Sequence, residues 1–370
     1  MMVISHKNYT KYVLFAVSLC ICILSFGGFA QAHDVKEDRY FHSFISLDRK
    51  PQAISVYRDF NVFVALKAEN DDDFRAVYID QHQNIHPFPD VNWASAPNEN
   101  GIGLQDVSAL RASRDGIVWL LDNGSYPKRL IGWHFNQKKL HKVLEIDPQL
   151  VPAHSDLKDM AIDTVHKVIF IADAGSDKPA LVSVSIEDGH TRRFLEGHVS
   201  VIPDVQAPSI VDGVDSDRYI GARSITIDTE SDFLYFGAQN STMLYRALTT
   251  DLLDDTLTAL ERSDKVQEYA AKPVSAGLSI DAMGNIYIAE LNDPAVGKIA
   301  MGTKHYTRLY ESDVARTLLQ GVDSLSVGTA SLMYVTTTNP ASTGHHSHDN
   351  DMQKYKILRF IASGPLYSGR

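Results

Sequence analysis

Six carboxylates, Asp106, Asp122, Asp159, Asp173, Glu290 and Asp323, stand at the ends of short apolar segments, in company with Gln52, Arg223, Asn240, Asn292 and Thr337. Carboxylates brought close together raise one another's pKa unless a cation or hydrogen-bond donors compensate. Gathered at one place, these side chains would make an acidic field suited to a divalent metal ion or an organic amine. Taken singly, each acid is equally suited to capping a turn or accepting from backbone amides. The ligand-binding set expected from the sequence is Asp106, Asp122, Asp159, Asp173, Arg223, Asn240, Glu290, Asn292 and Asp323. No catalytic residue is assigned, and a divalent cation is the one cofactor these residue types suggest. A second group, His345, His346 and His348 with Asp349, has metal-ligand composition but lies in a stretch, Thr338 to Gln353, that lacks any strand pattern. The sequence carries no nucleophile elbow, no phosphate-cradling glycine loop and no CxxC pair.

What must position these residues is a repeated hairpin: an alternating strand, a polar turn, and a second strand that ends on a polar residue. It reads from Gln52 to Leu66, Asp106 to Asp122, Asp159 to Asp173, Arg223 to Ala238, Gly277 to Glu290 and Asp323 to Thr337. Several strands per unit, recurring roughly every 46 to 65 residues, are the signature of a β-propeller. The fifth copy continues through Ala295 to Met301 and Tyr306 to Tyr310, and the third through Ala180 to Ile186 and Thr191 to Leu195, which gives four strands per unit. The expected fold is therefore all-β, a six-bladed propeller with four antiparallel strands per blade. A strand from Tyr40 to Leu47 is expected to pair with Lys356 to Ile361 and close the ring, removing exposed sheet edges. Short helices are expected within Ala247 to Arg262 and over Asp313 to Leu319.

In such a blade the start of the innermost strand and the end of the second lie at the same end of the hairpin. The polar residues above should then surround one mouth of the central channel, while Asp163, Asp228 and Asp281 fall in turns at the other end. Trp119, Trp133 and Tyr287 are expected to pack in the core. Trp93 and Tyr126, in loops beside the second copy, could stack on a cationic ligand.

The first 32 residues read differently. Lys7 and Lys11 precede an apolar run from Val13 to Phe29 that ends at Ala30-Gln31-Ala32, the pattern of a cleaved secretory signal. One propeller domain is expected over 33–370, exported to the periplasm or the medium, monomeric, and with no lasting membrane insertion. Both cysteines, Cys20 and Cys22, lie inside the signal, so the mature chain must be held by its own core. Its net charge, −11 with the signal and two units more negative without it, disfavours nucleic acid and anionic membranes as partners and favours cationic ligands or simple solubility.

The segment Gly116-Ile-Val-Trp-Leu-Leu-Asp-Asn-Gly124 with Pro127-Lys-Arg-Leu-Ile-Gly-Trp133 resembles a block of the major royal jelly protein/yellow family. Leu157 to Asp163 with Val168 to Asp173, and Ile220 to Asp228 with Leu234 to Gly237 and Leu244 to Leu252, are similar to further blocks of that family, in order. The resemblance spans about residues 85 to 340. It implies a secreted six-bladed propeller with a small-molecule pocket at the channel mouth, binding a small polar or cationic organic ligand, and it supplies no catalytic motif. The element Gly277-Leu-Ser-Ile-Asp-Ala-Met-Gly-Asn-Ile-Tyr-Ile-Ala289 also resembles the gluconolactonase/regucalcin propellers. That likeness implies an alternative, a metal-dependent lactonase. Those enzymes hold a divalent ion with a Glu on the first inner strand, where this chain has Lys50-Pro51-Gln52.

Overall fold

The computed structural model describes residues 42–338, apart from 59, 176–177, 212–213 and 329–330, together with residues 355–362. The expected signal segment and the His345–Asp349 cluster lie outside the described residues.

Six four-stranded antiparallel sheets make up the ring. The first blade runs through Pro51–Tyr57, Asn61–Leu66, Ala76–Ile79 and Ile85–Pro87. The second runs through Val107–Ala112, Ile117–Asp122, Arg129–His134 and Lys139–Glu145, and the third through Leu157–Asp163, Val168–Asp173, Ala180–Ser185 and Thr191–Phe194. Ala222–Ile227, Phe233–Ala238, Met243–Leu248 and Gln267–Ala271 form the fourth blade; Ser275–Ile280, Ile286–Glu290, Ala295–Ile299 and Tyr306–Arg308 form the fifth. The sixth takes Leu325–Val327, Leu332–Thr338 and Tyr355–Ile361 from the end of the chain and His42–Leu47 from its beginning. His42 pairs with Arg359 and Leu47 with Tyr355, so the expected closure of the ring is present.

Burial grades outward across each blade. Ile117–Asp122, a second strand, is buried along its whole length, whereas the outermost Lys139–Glu145 is mostly exposed. Strands covered on both faces carry continuous β-branched and aromatic runs, and edge strands carry charge. The core is correspondingly divided into six interblade layers. Phe63 and Ala65 pack toward Trp133 and Leu110 of the second blade, while Val62 and Val64 of the same strand pack toward Tyr334 and Ile357 of the sixth. A strand's two-residue period thus feeds two interfaces at once. Trp119 joins the layer between the second and third blades, and Tyr287 that between the fifth and sixth.

The helical excursions are shorter than the sequence suggests: Thr249–Leu253, Ala259–Asp264 and Asp313–Leu318. Ala247 and Leu248 still belong to a strand. Thr258 and Glu261 form a reciprocal capping box that starts the second helix there, which is why the long polar stretch breaks in two.

One feature recurs in five inner strands and has no signature in the hydrophobic pattern. Each carries a β-bulge near its start, between Pro51 and Ala53, Val107 and Ala109, Leu157 and Asp159, Ala222 and Ser224, and Ser275 and Leu278. A bulge inserts an unpaired residue and re-aims its side chain. The residues so placed include Gln52, Lys158, Arg223, Ala276 and Gly277.

Candidate functional site

The polar residues expected at the mouth separate into two groups with different surroundings. Those closing second strands are consumed by the fold. Asp122 is fully buried; its Oδ1 accepts from the amides of Gln105 (3.1 Å) and Asp106 (3.0 Å), and its Oδ2 takes Nε and Nη2 of Arg129 at 3.0 and 2.9 Å. Asp173 repeats the arrangement one blade on, accepting from the amides of Asp156 (2.8 Å) and Gly175 (2.9 Å) and pairing with Arg193 at 2.6 Å. Asn240 does the same in the fourth blade with a neutral side chain, accepting from the Ile220 amide at 2.8 Å and donating to Pro208 O at 2.8 Å. Glu290 is drawn outward to Tyr306 Oη (2.7 Å) and to Arg308 Nε and Nη2 (2.9 and 2.6 Å) on the outermost strand. Buried beside this carboxylate, the Tyr306 hydroxyl is held far above its usual pKa, chiefly by desolvation. These four residues serve as clasps between the strand that ends and the loop or strand beside it. Thr337 is likewise buried, and Asn292 lies exposed in the turn 291–294.

The residues that open inner strands behave otherwise. Gln52, Lys158, Asp159, Arg223, Ala276, Gly277 and Asp323 line one pocket at the end of the channel, along with Arg111. Arg111 of the second blade pairs with Asp159 of the third through Nη2. Arg223 of the fourth blade pairs with Asp323 of the sixth at 2.5 Å and donates to Gln239 at 2.7 Å. Arg223 also acts electrostatically on Asp159. The result is an alternating string, Arg111, Asp159, Arg223, Asp323, laid across the channel. Burial pushes the Asp159 carboxyl up, against the pull of Arg111 and of the Met160 and Ile225 amides. Gln52 closes the remaining side by donating to Asp106 Oδ1 and Val107 O, both at 2.9 Å, and Lys67 reaches Asp106 at 3.2 Å.

The mouth is therefore balanced in charge where the sequence suggests an acidic ring. Cations that the spacing did not bring forward supply the balance. Arg111, Lys67, Lys158 and Arg223 answer the carboxylates near the channel. Lys128, buried and donating to Asn123 O at 2.9 Å, sits in the field of Asp156, Asp173, Asp122 and Asp106. Desolvation lowers the pKa of this ammonium and those four acids oppose the shift. The place that the sequence offered to an amine or a metal is taken, for Asp122 and Asp173, by the chain's own lysine and arginines.

Arg111 could have been found by comparing blades. It pairs with Trp119 as Ser55 pairs with Phe63, Ala161 with Phe170, Thr226 with Tyr235, Ser279 with Tyr287 and Ser326 with Tyr334. Five blades carry a small residue at that inward position and one carries arginine. Asp159 is an outlier in the same sense, standing where Ala53, Ala109 and Ser224 stand in their own bulged strands.

Inside the string the pocket has room for about 20 Å³, and the channel beyond it, between Arg111 and the apolar side chains of Ile162, Ile227, Leu278 and Val327, about 30 Å³. Each is close to one water molecule's need. Any larger ligand must exchange with the intramolecular partners at the mouth. Among the described residues no group of three or more His, Cys, Asp or Glu side chains is placed to hold a metal ion. Trp93 is nearly buried with the Arg129 guanidinium 6.0 Å from its ring centre, and Tyr126 is exposed. Asp163, Asp228 and Asp281 accept amides within the turns at the opposite end, as expected.

Fold and mouth together define a six-bladed propeller whose channel is crossed by two ion pairs. Residues 111–362 match the family model of the major royal jelly proteins, and the chain belongs to that family. No curated protein matches it significantly in sequence. Among solved structures it is similar to a protein of unknown function from Bacteroides thetaiotaomicron (9% identity over 87% of this chain and 72% of that chain, TM-score 0.56). It is also similar to the calcium-binding protein regucalcin from Agrobacterium tumefaciens (14% identity, 88% and 97% covered, TM-score 0.53) and to a gluconolactonase from Xanthomonas campestris (7%, 87% and 89%, TM-score 0.52). At these identities the likeness is one of fold.

Proposed function

We propose that this chain is an exported binding protein that takes a small polar organic ligand at the channel mouth. The observation that carries the reading is the Arg223–Asp323 pair. Its two side chains are 21% and 18% exposed, bridge the fourth and sixth blades, and rest on a bulge that aims Arg223 at the channel. A structural clasp would be buried like Asp122 or Asp173. This one stays within reach of solvent, so its partners can be exchanged for those of a ligand. A ligand ammonium or other donor would replace Arg223 on Asp323, and a carboxylate or other acceptor would replace Asp323 on Arg223. Gln52 and Lys158 extend the polar lining. The balance of charge favours a ligand bearing both kinds of group over a simple cation.

The test is calorimetry of the mature chain with phenylalanine, phenethylamine and 3-phenylpropanoate, which share a body and differ in charge. The zwitterion should bind tightest, and Arg223→Gln/Asp323→Asn should weaken it at least tenfold. Equal weak responses to all three, unchanged in the double variant, would remove the site from the mouth.

A further inference from the structure

On the face opposite the mouth, a cleft of about 350 Å³ opens between the second and third blades. Its position follows from the turns that build it: 113–116 and 164–167 each join a first strand to a second, at the end away from the channel mouth. The apolar wall comes from Ile117, Trp119, Ile162 and Ile186. Trp119 is held flat over Gly132, where a methyl group would meet its ring at 2.9 Å, and His141 stands edge-on to it at 5.9 Å between centroids. Desolvation lowers the His141 pKa, which favours the uncharged imidazole beside this wall.

The rim has the opposite character to the chain as a whole. The protein carries a net charge of −11, yet Arg114 and Lys167 line this cleft against one acid, Asp115, whose Oδ1 is engaged by the Ile117 amide at 3.1 Å. Lys142 adds a third cation beside it, its ammonium resting on the carbonyls of Ile186 and Glu187 at 2.9 Å each. A cavity of this size, apolar within and with a few polar groups at its edge, is the usual form of a small-molecule site. An anion gains an attraction at this rim that an uncharged ligand does not, and a wholly polar ligand would strand the apolar wall.

We propose that this cleft binds a small organic anion with an aromatic or branched aliphatic body, the body against His141, Ile186 and Ile117 and the anionic group at Lys167 and Arg114. The site is separate from the channel mouth and stands whether or not the mouth binds a ligand.

The probe pair is 2-naphthoate and its neutral isostere 2-naphthamide, titrated by calorimetry into the mature protein. The carboxylate is expected to bind at least tenfold tighter than the amide. Lys167→Glu should weaken it at least fivefold, and Ile186→Glu, which places an acid on the wall, should do the same. Lys265→Glu makes the same change in net charge as Lys167→Glu, on a helix end far along the chain, and should leave the affinity as it was. Circular dichroism establishes that each variant folds. Naphthoate binding that survives both Lys167→Glu and Ile186→Glu, equal affinity for acid and amide, or no binding of either probe would overturn the proposal.

Discussion

Arg223 reaches past the fifth blade to pair with Asp323 of the sixth, across a stretch where the fifth blade presents only the small residues Ala276 and Gly277. Gly277 packs backbone to backbone against its neighbour: a Cβ at that position would lie 2.5 Å from Asp323 O and 3.2 Å from Leu325 N. The absence of one methyl group and the presence of a bulge thus decide which two charges meet over the channel.

Gly277→Ala should consequently disturb both the ring and the mouth. The clashing atom is a backbone carbonyl, which cannot swing aside as a side chain would, so the cost is about 1–3 kcal/mol. Urea unfolding should show the loss, and ligand affinity at the mouth should fall with it because Asp323 is displaced.

Asp122 is expected to separate structural acids from mouth acids. Asp122→Ala leaves Arg129 and the Gln105 and Asp106 amides without their acceptor in a buried setting. Stability should drop by about 3–5 kcal/mol. The folded fraction should bind the mouth ligand as wild type does. A selective loss of affinity with unchanged stability would place Asp122 in the site instead.

Lys128 provides the complementary test. Lys128→Met removes the internal cation facing Asp156, Asp173, Asp122 and Asp106. The unfolding midpoint should fall, because the Asn123 carbonyl loses its donor and the four acids lose a cation they share.

Lys272 gives a dependence on pH. It is buried, with Nζ donating to Ser241 O (2.7 Å), Pro273 O (3.1 Å) and Ser275 Oγ (3.1 Å), and desolvation lowers its pKa from 10.5 to about 7. Below about pH 7 both the folded and unfolded chains hold this proton and the burial cost is felt in full. Between about 7 and 10.5 the unfolded chain binds more protons than the folded one, so stability rises with pH across that window. Compared at about pH 6.5 and about pH 9.5, the wild type should gain on the order of 2–4 kcal/mol relative to Lys272→Met.

The ring was legible in the sequence because its cause is local. Apolar runs such as Asn61–Leu66 or Ile286–Glu290, bounded by turns such as Asp281 to Asn285, recur in every copy and depend on no distant contact. Even the closure by His42–Leu47 followed, since six hairpins leave one blade short of an edge strand. Of the candidate site, the placement of the residues was legible and their orientation was not. Topology correctly brings Gln52, Asp159, Arg223 and Asp323 to one pocket, but it says nothing of the direction in which an end residue turns. Asp122, Asp173 and Glu290 turn outward because Arg129, Arg193 and Arg308 wait on outer strands, and those partners lie 7, 20 and 18 residues away with no common spacing. Arg111 is invisible to periodicity, because the pattern of its strand survives the interruption, and only a comparison between blades singles it out.

The central claim is that the Arg223–Asp323 pair yields to a ligand at the channel mouth. Calorimetric titration of phenylalanine into the wild type and into Arg223→Gln/Asp323→Asn tests it most directly. Saturable binding to the wild type, weakened at least tenfold in a double variant that still folds, is the predicted result. Equal affinity in the two proteins, or no binding to either, would contradict it.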